Sequence, residues 1–76
     1  MSDKLPQLKA TEIRRVLEKL GFEFKRQHGS HMIFKHEDGR TVTIPNHPTK
    51  FVNRYLLGKI IKRELQMSRE EFMKYL

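Results

Sequence analysis

Apolar residues recur with a helical period near the start of the chain. Four of them have the i, i+3, i+4, i+7 spacing of a helix with one buried face: Ile13, Val16, Leu17 and Leu20. The pattern predicts a helix that starts at about Lys9 or Thr11. We expect it to end at Gly21, because glycine readily adopts the left-handed conformation that closes many helices.

The middle of the chain predicts three short β-strands, because apolar and polar residues alternate there. The inward-facing set has six members: Phe22, Phe24, Met32, Phe34, Val42 and Ile44. In the second hairpin, a three-residue loop from Glu37 to Gly39 places Phe34 opposite Val42, whereas a two-residue Asp-Gly turn splits the apolar set between the two faces. We therefore predict the three-residue loop, with Gly39 in a left-handed conformation.

The same parity argument applied to the first hairpin predicts an odd loop around Gly29. This register places Phe24 opposite Phe34 and Gln27 opposite His31. The second face of the sheet then carries a mostly polar, basic set: Lys25, Gln27, His31, Ile33, Lys35, Thr41 and Thr43. A histidine on such a face is suited to acid-base chemistry, because imidazole exchanges protons near neutral pH.

Two prolines end the sheet, and two further helices follow. Pro45 and Pro48 restrict the backbone of a linker. Beyond it we predict a second helix over residues 53–65. Four of its residues face the core: Leu56, Leu57, Ile60 and Ile61. Ser68 and Glu71 have the spacing of a capping box, which predicts a short third helix. This helix returns three apolar residues to the core: Phe72, Met73 and Leu76.

Composition indicates one small cytoplasmic domain with an anionic partner. The 76 residues suffice for a single core, and 16 Lys and Arg against 9 Asp and Glu give a net charge of +7. Such a charge favours nucleic acid or an acidic protein as partner. The absence of cysteine excludes a disulfide scaffold and a Cys-based zinc site. No signal peptide or membrane span is visible. We divide the chain into a flexible lead over residues 1–8 and one domain over residues 9–76.

Five short motifs occur in a characteristic order: Leu20-Gly21-Phe22, Gly29-Ser30-His31 followed by Phe34, Asp38-Gly39-Arg40, Val42-Thr43-Ile44-Pro45 with His47, and Leu56-Leu57-Gly58-Lys59-Ile60-Ile61-Lys62. Over residues 9–76 the chain resembles the HicA toxin family of bacterial and archaeal toxin-antitoxin systems. The resemblance implies an α+β protein with the α-β-β-β-α fold of double-stranded-RNA-binding domains, a three-stranded antiparallel sheet packed on helices. The predicted third helix is a short C-terminal addition to that fold.

The resemblance also implies an activity and a partner. It implies the toxin of a type II toxin-antitoxin system, a ribosome-independent endoribonuclease that cleaves mRNA and that a cognate HicB antitoxin neutralises. We further expect the cleavage to need no metal or other cofactor. The catalytic role carries over to His31 alone. Two departures from the family pattern are visible. Lys9 replaces the usual Ser or Thr at the helix start, and residues 65–67 replace a glycine after the second helix, where we expect a variant turn.

The candidate site residues each have an alternative interpretation. His31, positioned by the turn residues Gly29 and Ser30, is assigned as the acid-base residue rather than an idle surface histidine. His28 is a candidate second acid or base, or a solvated histidine at the loop tip. Lys25 and Lys35 are candidate phosphate ligands, or ordinary charges of a solvated strand.

A basic stripe on the second helix is a further candidate RNA contact, or an ordinary solvated face: Arg54, Lys59, Lys62 and Arg63. The other two histidines, His36 and His47, receive no catalytic role, and the four histidines fit no zinc-site spacing. Two other functions stay open at this point. One is a non-catalytic module that binds double-stranded RNA, and the other is a basic protein-interaction domain.

Overall fold

A three-stranded antiparallel sheet with helices around it forms the centre of the protein, whose computed structural model describes residues 4–76. The elements follow in the order β1 (Leu8–Lys9), α1 (Ala10–Lys19), β2 (Glu23–His28), β3 (His31–Lys35), β4 (Thr41–Pro45), β5 (Phe51–Val52), α2 (Arg54–Lys59), a π-helical turn (Ile60–Glu64) and α3 (Arg69–Met73). Strands β2, β3 and β4 form the sheet in that spatial order. The α+β class, the α-β-β-β-α order and the short C-terminal helix are confirmed.

Helix α1 begins and ends as its sequence predicts, although its N-terminal residue is unusual. Lys9 occupies the N-cap position, and the Glu12 carboxylate accepts a hydrogen bond from the Lys9 backbone N–H at 2.8 Å. An acidic side chain in the first turn thus satisfies an N–H that precedes the helix. At the other end Gly21 has φ +97°, and the Phe22 N–H donates to the Leu17 carbonyl at 2.9 Å. This is the left-handed closure expected of glycine.

The second hairpin has the predicted register and loop. Phe34 lies opposite Val42, and the His36 N–H donates to the Arg40 carbonyl at 3.0 Å. Gly39 has φ +102°. The three-residue loop and its left-handed glycine are therefore confirmed.

The first hairpin differs from the prediction at its tip. His28, rather than Gln27, lies opposite His31, so the predicted odd loop is wrong. The turn has two residues, Gly29 and Ser30, and Gly29 has φ +63°. A positive φ at the first of two turn residues matches a type II′ turn, which suits the twist of a tight hairpin.

A β-bulge makes this two-residue turn compatible with the predicted pairing farther from the tip. Phe24 lies opposite Phe34 as predicted, whereas Arg26 lies opposite Ile33, which leaves Lys25 as an extra residue in β2. One extra residue changes the parity of a strand, so every residue between the bulge and the turn exchanges faces. The bulge therefore decides which side chains accompany His31.

The core joins the inner face of the sheet to the helices and includes most of the predicted residues. Its largest fully buried side chains include Phe34, Phe72, Ile13, Leu17, Ile44 and Leu57. Leu20 and Met73 are partly buried, and three residues predicted to be inside are exposed: Phe24 (39%), Leu56 (39%) and Leu76 (51%). Phe24 belongs to the edge strand β2, and the Arg14 guanidinium covers its ring at 4.8 Å. Leu76 lies three residues beyond the last residue of α3.

The predicted second helix changes its geometry halfway along. Helix α2 is α-helical for one and a half turns and then widens into a π-helical turn, in which the Leu65 N–H donates to the Ile60 carbonyl at 2.8 Å. Leu65, directly after the wider turn, is fully buried, whereas Leu56 in the first turn of α2 is 39% exposed. The segment ends at Gln66, which has φ +57°. This left-handed glutamine is the variant turn expected where the family often has glycine.

The chain before α1 also takes part in the fold. Leu5 and Leu8 are buried, and Leu8 lies opposite Val52 in the two-stranded pair of β1 with β5. Residues 4–8, which the sequence assigns to a flexible lead, therefore supply two core residues. The first three residues of that lead lie outside the described part of the chain.

Candidate active site

His31 occupies the first position of β3, between two neighbouring strands. It lies opposite His28 in β2 and opposite Pro45 in β4. The Asn46 N–H donates to the Ser30 carbonyl at 2.6 Å, which makes the adjacent His31 and Pro45 a non-hydrogen-bonded pair. Cα atoms in such pairs are about 4.5 Å apart. Pro45 suits this position because its missing N–H belongs to the outer side of an edge strand.

The opposite placement brings the two candidate catalytic histidines together. Because the backbone of His31 does not bond to β4 at this position, its N–H and carbonyl face His28. Cβ atoms of directly opposed residues are about 4.5–5.5 Å apart on the same face of a sheet. Both side chains are exposed. The two imidazoles are therefore close enough to contact a single phosphate group.

Side-chain hydrogen bonds tie the hairpin tip to the linker that follows β4. The Gln27 side-chain amide donates to the Gly29 carbonyl at 3.0 Å and accepts from the Asn46 amide at 3.3 Å. The bulge makes this possible, since it places Gln27 on the opposite face from His31. The turn between the two histidines is thus fixed by one hydrogen bond within the hairpin and one to the linker.

Arg26 is the cation that the sequence-based assignment missed. It lies opposite Ile33 and precedes His28 by two residues, so Arg26, His28 and His31 share the open face. The predicted odd loop had placed Gln27 there instead. A β-bulge has no reliable signature in a single sequence, so only its effect on the pairing identifies Arg26.

The predicted phosphate ligands Lys25 and Lys35 lie toward the other end of the sheet. Lys35 is four residues from His31 in β3, which corresponds to about 13 Å along an extended strand. Lys35 also lies opposite Glu23, whose carboxylate is 3.0 Å from the Lys25 ammonium. The Glu23 charge therefore offsets part of the positive field at this end, and the structure does not gather these lysines around the histidines.

The basic stripe of the second helix is exposed, and the π-helical turn that carries two of its members packs against β4. Its members are Arg54, Lys59, Lys62 and Arg63. The adjoining Glu64 carboxylate accepts a hydrogen bond from the Thr43 N–H of β4 at 3.0 Å, and the Arg40 guanidinium donates to the Leu65 carbonyl at 2.6 Å. These bonds fix the π-helical turn to the sheet. The stripe is thus a second cationic surface, separate from Arg26.

His36 is engaged within the fold rather than at the site. Its Nδ1 accepts a hydrogen bond from the Asp38 N–H at 3.1 Å, so its Nε2 carries the proton and donates to the Leu20 carbonyl at 3.2 Å. The ring also packs edge-on against Phe22, with centroids 5.0 Å apart. His36 therefore links the second hairpin to the end of α1.

The Asp38 carboxylate is stabilised in the same hairpin. The backbone N–H of Arg40 donates to it at 3.0 Å and the Arg40 guanidinium at 2.8 Å. These bonds, chiefly the backbone one, lower the pKa of Asp38 below its ordinary value, and burial opposes them only in part.

Residues 4–76 contain neither a cluster of metal ligands nor a helix that could span a membrane. Nowhere in this range do three or more His, Cys, Asp or Glu side chains come together as metal ligands. No helix in the same range is long and apolar enough to cross a membrane.

The fold and the histidine-bearing sheet are those expected of the toxin from a toxin-antitoxin pair. The family described as "HicA toxin of bacterial toxin-antitoxin" matches residues 10–64 of the 76, from the start of α1 to the end of the π-helical turn. The chain belongs to the HicA toxin family, and this membership implies an antitoxin partner. No curated protein matches the chain.

Proposed function

We propose that this toxin is a metal-independent endoribonuclease that cleaves mRNA in the cytoplasm, with His31 and His28 as its two proton-transfer residues. A HicB-type antitoxin neutralises it. The observation that carries the proposal is the direct opposition of His28 and His31 on an exposed face that also bears Arg26. Family membership supports the same conclusion, because it makes the chain a toxin.

The proposed reaction needs one proton acceptor and one proton donor on either side of a phosphate. A neutral imidazole removes the proton of an RNA 2′-hydroxyl, and the 2′-oxygen attacks the adjacent phosphorus. The bond from phosphorus to the 5′-oxygen breaks, and a protonated imidazole gives its proton to that oxygen. The products are a 2′,3′-cyclic phosphate and a 5′-hydroxyl. His28 and His31 supply the two imidazoles, and neither proton transfer requires a metal.

Charge on the phosphate increases as the 2′-oxygen attacks, and nearby cations stabilise it. Arg26 is suited to this role, because it shares the open face with both histidines and a guanidinium binds phosphate oxygens in pairs. The lysines at the far end of the sheet and the basic stripe hold more distant phosphates of the same strand. The antitoxin then covers the histidine face, with acidic groups that complement the net charge of +7.

The test is cleavage of a defined single-stranded RNA in EDTA by the wild type and by His31→Ala. Lys74→Ala serves as a matched control, since Lys74 is exposed and caps the distant helix α3. We expect the wild type and the control to cut equally and His31→Ala to be slower by about 10²- to 10⁴-fold. Circular dichroism and thermal unfolding establish that all three proteins are folded.

Four results contradict the proposal in distinguishable ways. If His31→Ala cleaves as fast as the wild type, His31 is not the catalytic residue. If the wild type loses its activity in EDTA, the mechanism is not metal-independent. Binding of RNA without cleavage identifies a non-catalytic module instead. Negligible RNA affinity even at low salt identifies a protein-interaction domain, because phosphate contacts are strongest there.

A further inference from the structure

Three large apolar side chains are exposed near the end of the linker that follows the sheet. Phe51 is 52% exposed, Tyr55 73% and Leu56 39%. Phe51 belongs to β5, whereas Tyr55 and Leu56 lie in the first turn of α2. Exposed aromatic rings at neighbouring positions are typical of binding surfaces, since folding alone does not require them.

Phe51 and Leu56 line a shallow groove that begins beside the candidate active site. Pro45, His47 and Lys50 line it as well. Pro45 is the residue directly opposite His31 in the β3 and β4 pair, and it shares the face of His31. One end of the groove is thus a single cross-strand neighbour away from the catalytic histidine.

The rings of this surface are accompanied by lysines. The Lys9 ammonium lies 5.7 Å from the centre of the Phe51 ring, and the Lys59 ammonium 4.5 Å from that of Tyr55. Lys50 lines the groove, and no acidic side chain does so in the described part of the chain. Aromatic faces that take bases, next to cations that take phosphates, form the usual binding surface for single-stranded nucleic acid. An apolar protein partner has no need of this cationic rim.

The loop that carries the surface has local hydrogen bonds of its own. The Asn53 side-chain oxygen caps α2 by accepting from the Tyr55 N–H at 2.8 Å and from the Leu56 N–H at 3.2 Å. The Lys50 N–H donates to the His47 carbonyl at 3.1 Å. At the other end of the linker, Asn46 is bonded to the hairpin tip. The rings are therefore positioned relative to His31 before any ligand binds, which reduces the entropy cost of binding.

We propose that Phe51 and Tyr55, with the groove between Pro45 and Leu56, form a stacking subsite for a nucleobase of single-stranded RNA, next to the phosphate that is cleaved at His31. This inference rests on the proposed nuclease function and adds to it that the substrate is single-stranded RNA. The subsite requires an unpaired base, so it makes the enzyme selective for single-stranded over fully paired RNA.

The test measures RNA affinity in the cleavage-deficient His31→Ala background at one fixed salt concentration. The probe is a labelled single-stranded oligoribonucleotide that contains a mapped cleavage site, and fluorescence anisotropy gives Kd. The variants Phe51→Leu and Tyr55→Leu keep apolar bulk and remove the ring. Leu76→Ala is the control, because Leu76 is similarly exposed but lies on a different surface. We expect each ring variant to raise Kd by about tenfold, and the control to leave it unchanged.

An abasic scan of the same RNA locates the contact. With the intact rings, removing the base next to the cleaved phosphate raises Kd by about the same factor, whereas other positions matter less. In the double variant Phe51→Leu/Tyr55→Leu the same abasic RNA loses no further affinity, because the rings and the base form one interaction. This non-additivity distinguishes stacking from a general loss of charge or fold.

The opposing outcomes separate this inference from the function on which it rests. If the wild type cuts RNA but both ring variants keep its affinity and its abasic profile, only the subsite is overturned. If those variants instead lose affinity for the antitoxin while RNA binding is unchanged, the surface is a protein interface and the subsite is again overturned. If the wild type neither binds nor cuts RNA, the proposed function itself fails, and the subsite fails with it.

Discussion

His28 and His31 lie directly opposite each other across the two-residue turn of the first hairpin. In a histidine nuclease this arrangement divides the two proton transfers between neighbouring side chains. One must be neutral and the other protonated for the reaction to proceed, so activity depends on pH in both directions. In such a nuclease, removal of either histidine therefore changes the pH profile, whereas removal of an ordinary surface histidine does not.

The first prediction concerns this pH profile. The wild type should show a bell-shaped dependence of kcat/KM on pH, and His28→Ala should lower the maximum by about 10²- to 10⁴-fold and remove one limb of the bell. Single-turnover cleavage across the pH range of protein stability measures this. Lys74→Ala is the control and should keep both limbs, because Lys74 is exposed and lies outside both the open face and the groove. An unchanged two-limbed profile in His28→Ala would show that His28 is a solvated bystander.

The second prediction ranks the cations of the open face. Arg26→Ala should lower kcat by at least about tenfold, because it removes a charge that shares the face of both histidines. Lys35→Ala should mainly raise KM, since Lys35 lies at the far end of β3 and opposite the acidic Glu23. Steady-state kinetics at one ionic strength separates the two effects. If both substitutions raise KM equally and leave kcat unchanged, Arg26 only attracts the phosphates of RNA and does not stabilise the charge that develops during cleavage.

The two hairpins show how far the sequence predicts this site. The second hairpin could be predicted in full, because the parity of Phe34 and Val42 admits one loop length and Gly39 supplies the left-handed residue. In the first hairpin the predicted pairing of Phe24 with Phe34 is correct, but the predicted pairing at the tip is wrong. The bulge at Lys25 is set by the twist and pairing of the sheet, which a single sequence does not display.

Long-range packing explains the other differences. Ile60 and Ile61 fit an α-helical pattern, but they lie in a π-helical turn that is bonded to β4 through Glu64, a long-range contact that the pattern does not contain. The pair of β1 with β5 has two residues in each strand, too few for an alternation pattern. The exposure of the Phe51 side chain likewise depends on the packing of β5 against its neighbours, which a single sequence does not display. Local patterns thus predicted the elements, whereas tertiary contacts decided the site.

The third prediction concerns the second hairpin at low pH. Because the hydrogen bonds from Arg40 lower the pKa of Asp38 in the folded protein, the ionised carboxylate stabilises the fold above its unfolded pKa. That contribution is lost as pH falls through the lowered folded value. Asp38→Ala should therefore be less stable than the wild type at neutral pH, with the difference shrinking below about pH 4. Urea unfolding at several pH values measures it, and a constant difference would contradict the linkage.

The fourth prediction concerns Gln66, which ends the π-helical turn with φ +57°. A left-handed conformation costs a residue with a Cβ about 1–2 kcal/mol, and glycine avoids this cost while gaining entropy in the unfolded chain. Gln66→Gly should therefore raise the free energy of unfolding by about 0.5–1 kcal/mol, and Tm by about 2–8 °C for a domain of this size. Lys74→Gly is the control, since Lys74 has φ −66° and glycine there gains nothing in the folded state. Thermal unfolding of both variants decides the matter: a Gln66→Gly protein no more stable than the wild type would show that the turn carries no backbone strain.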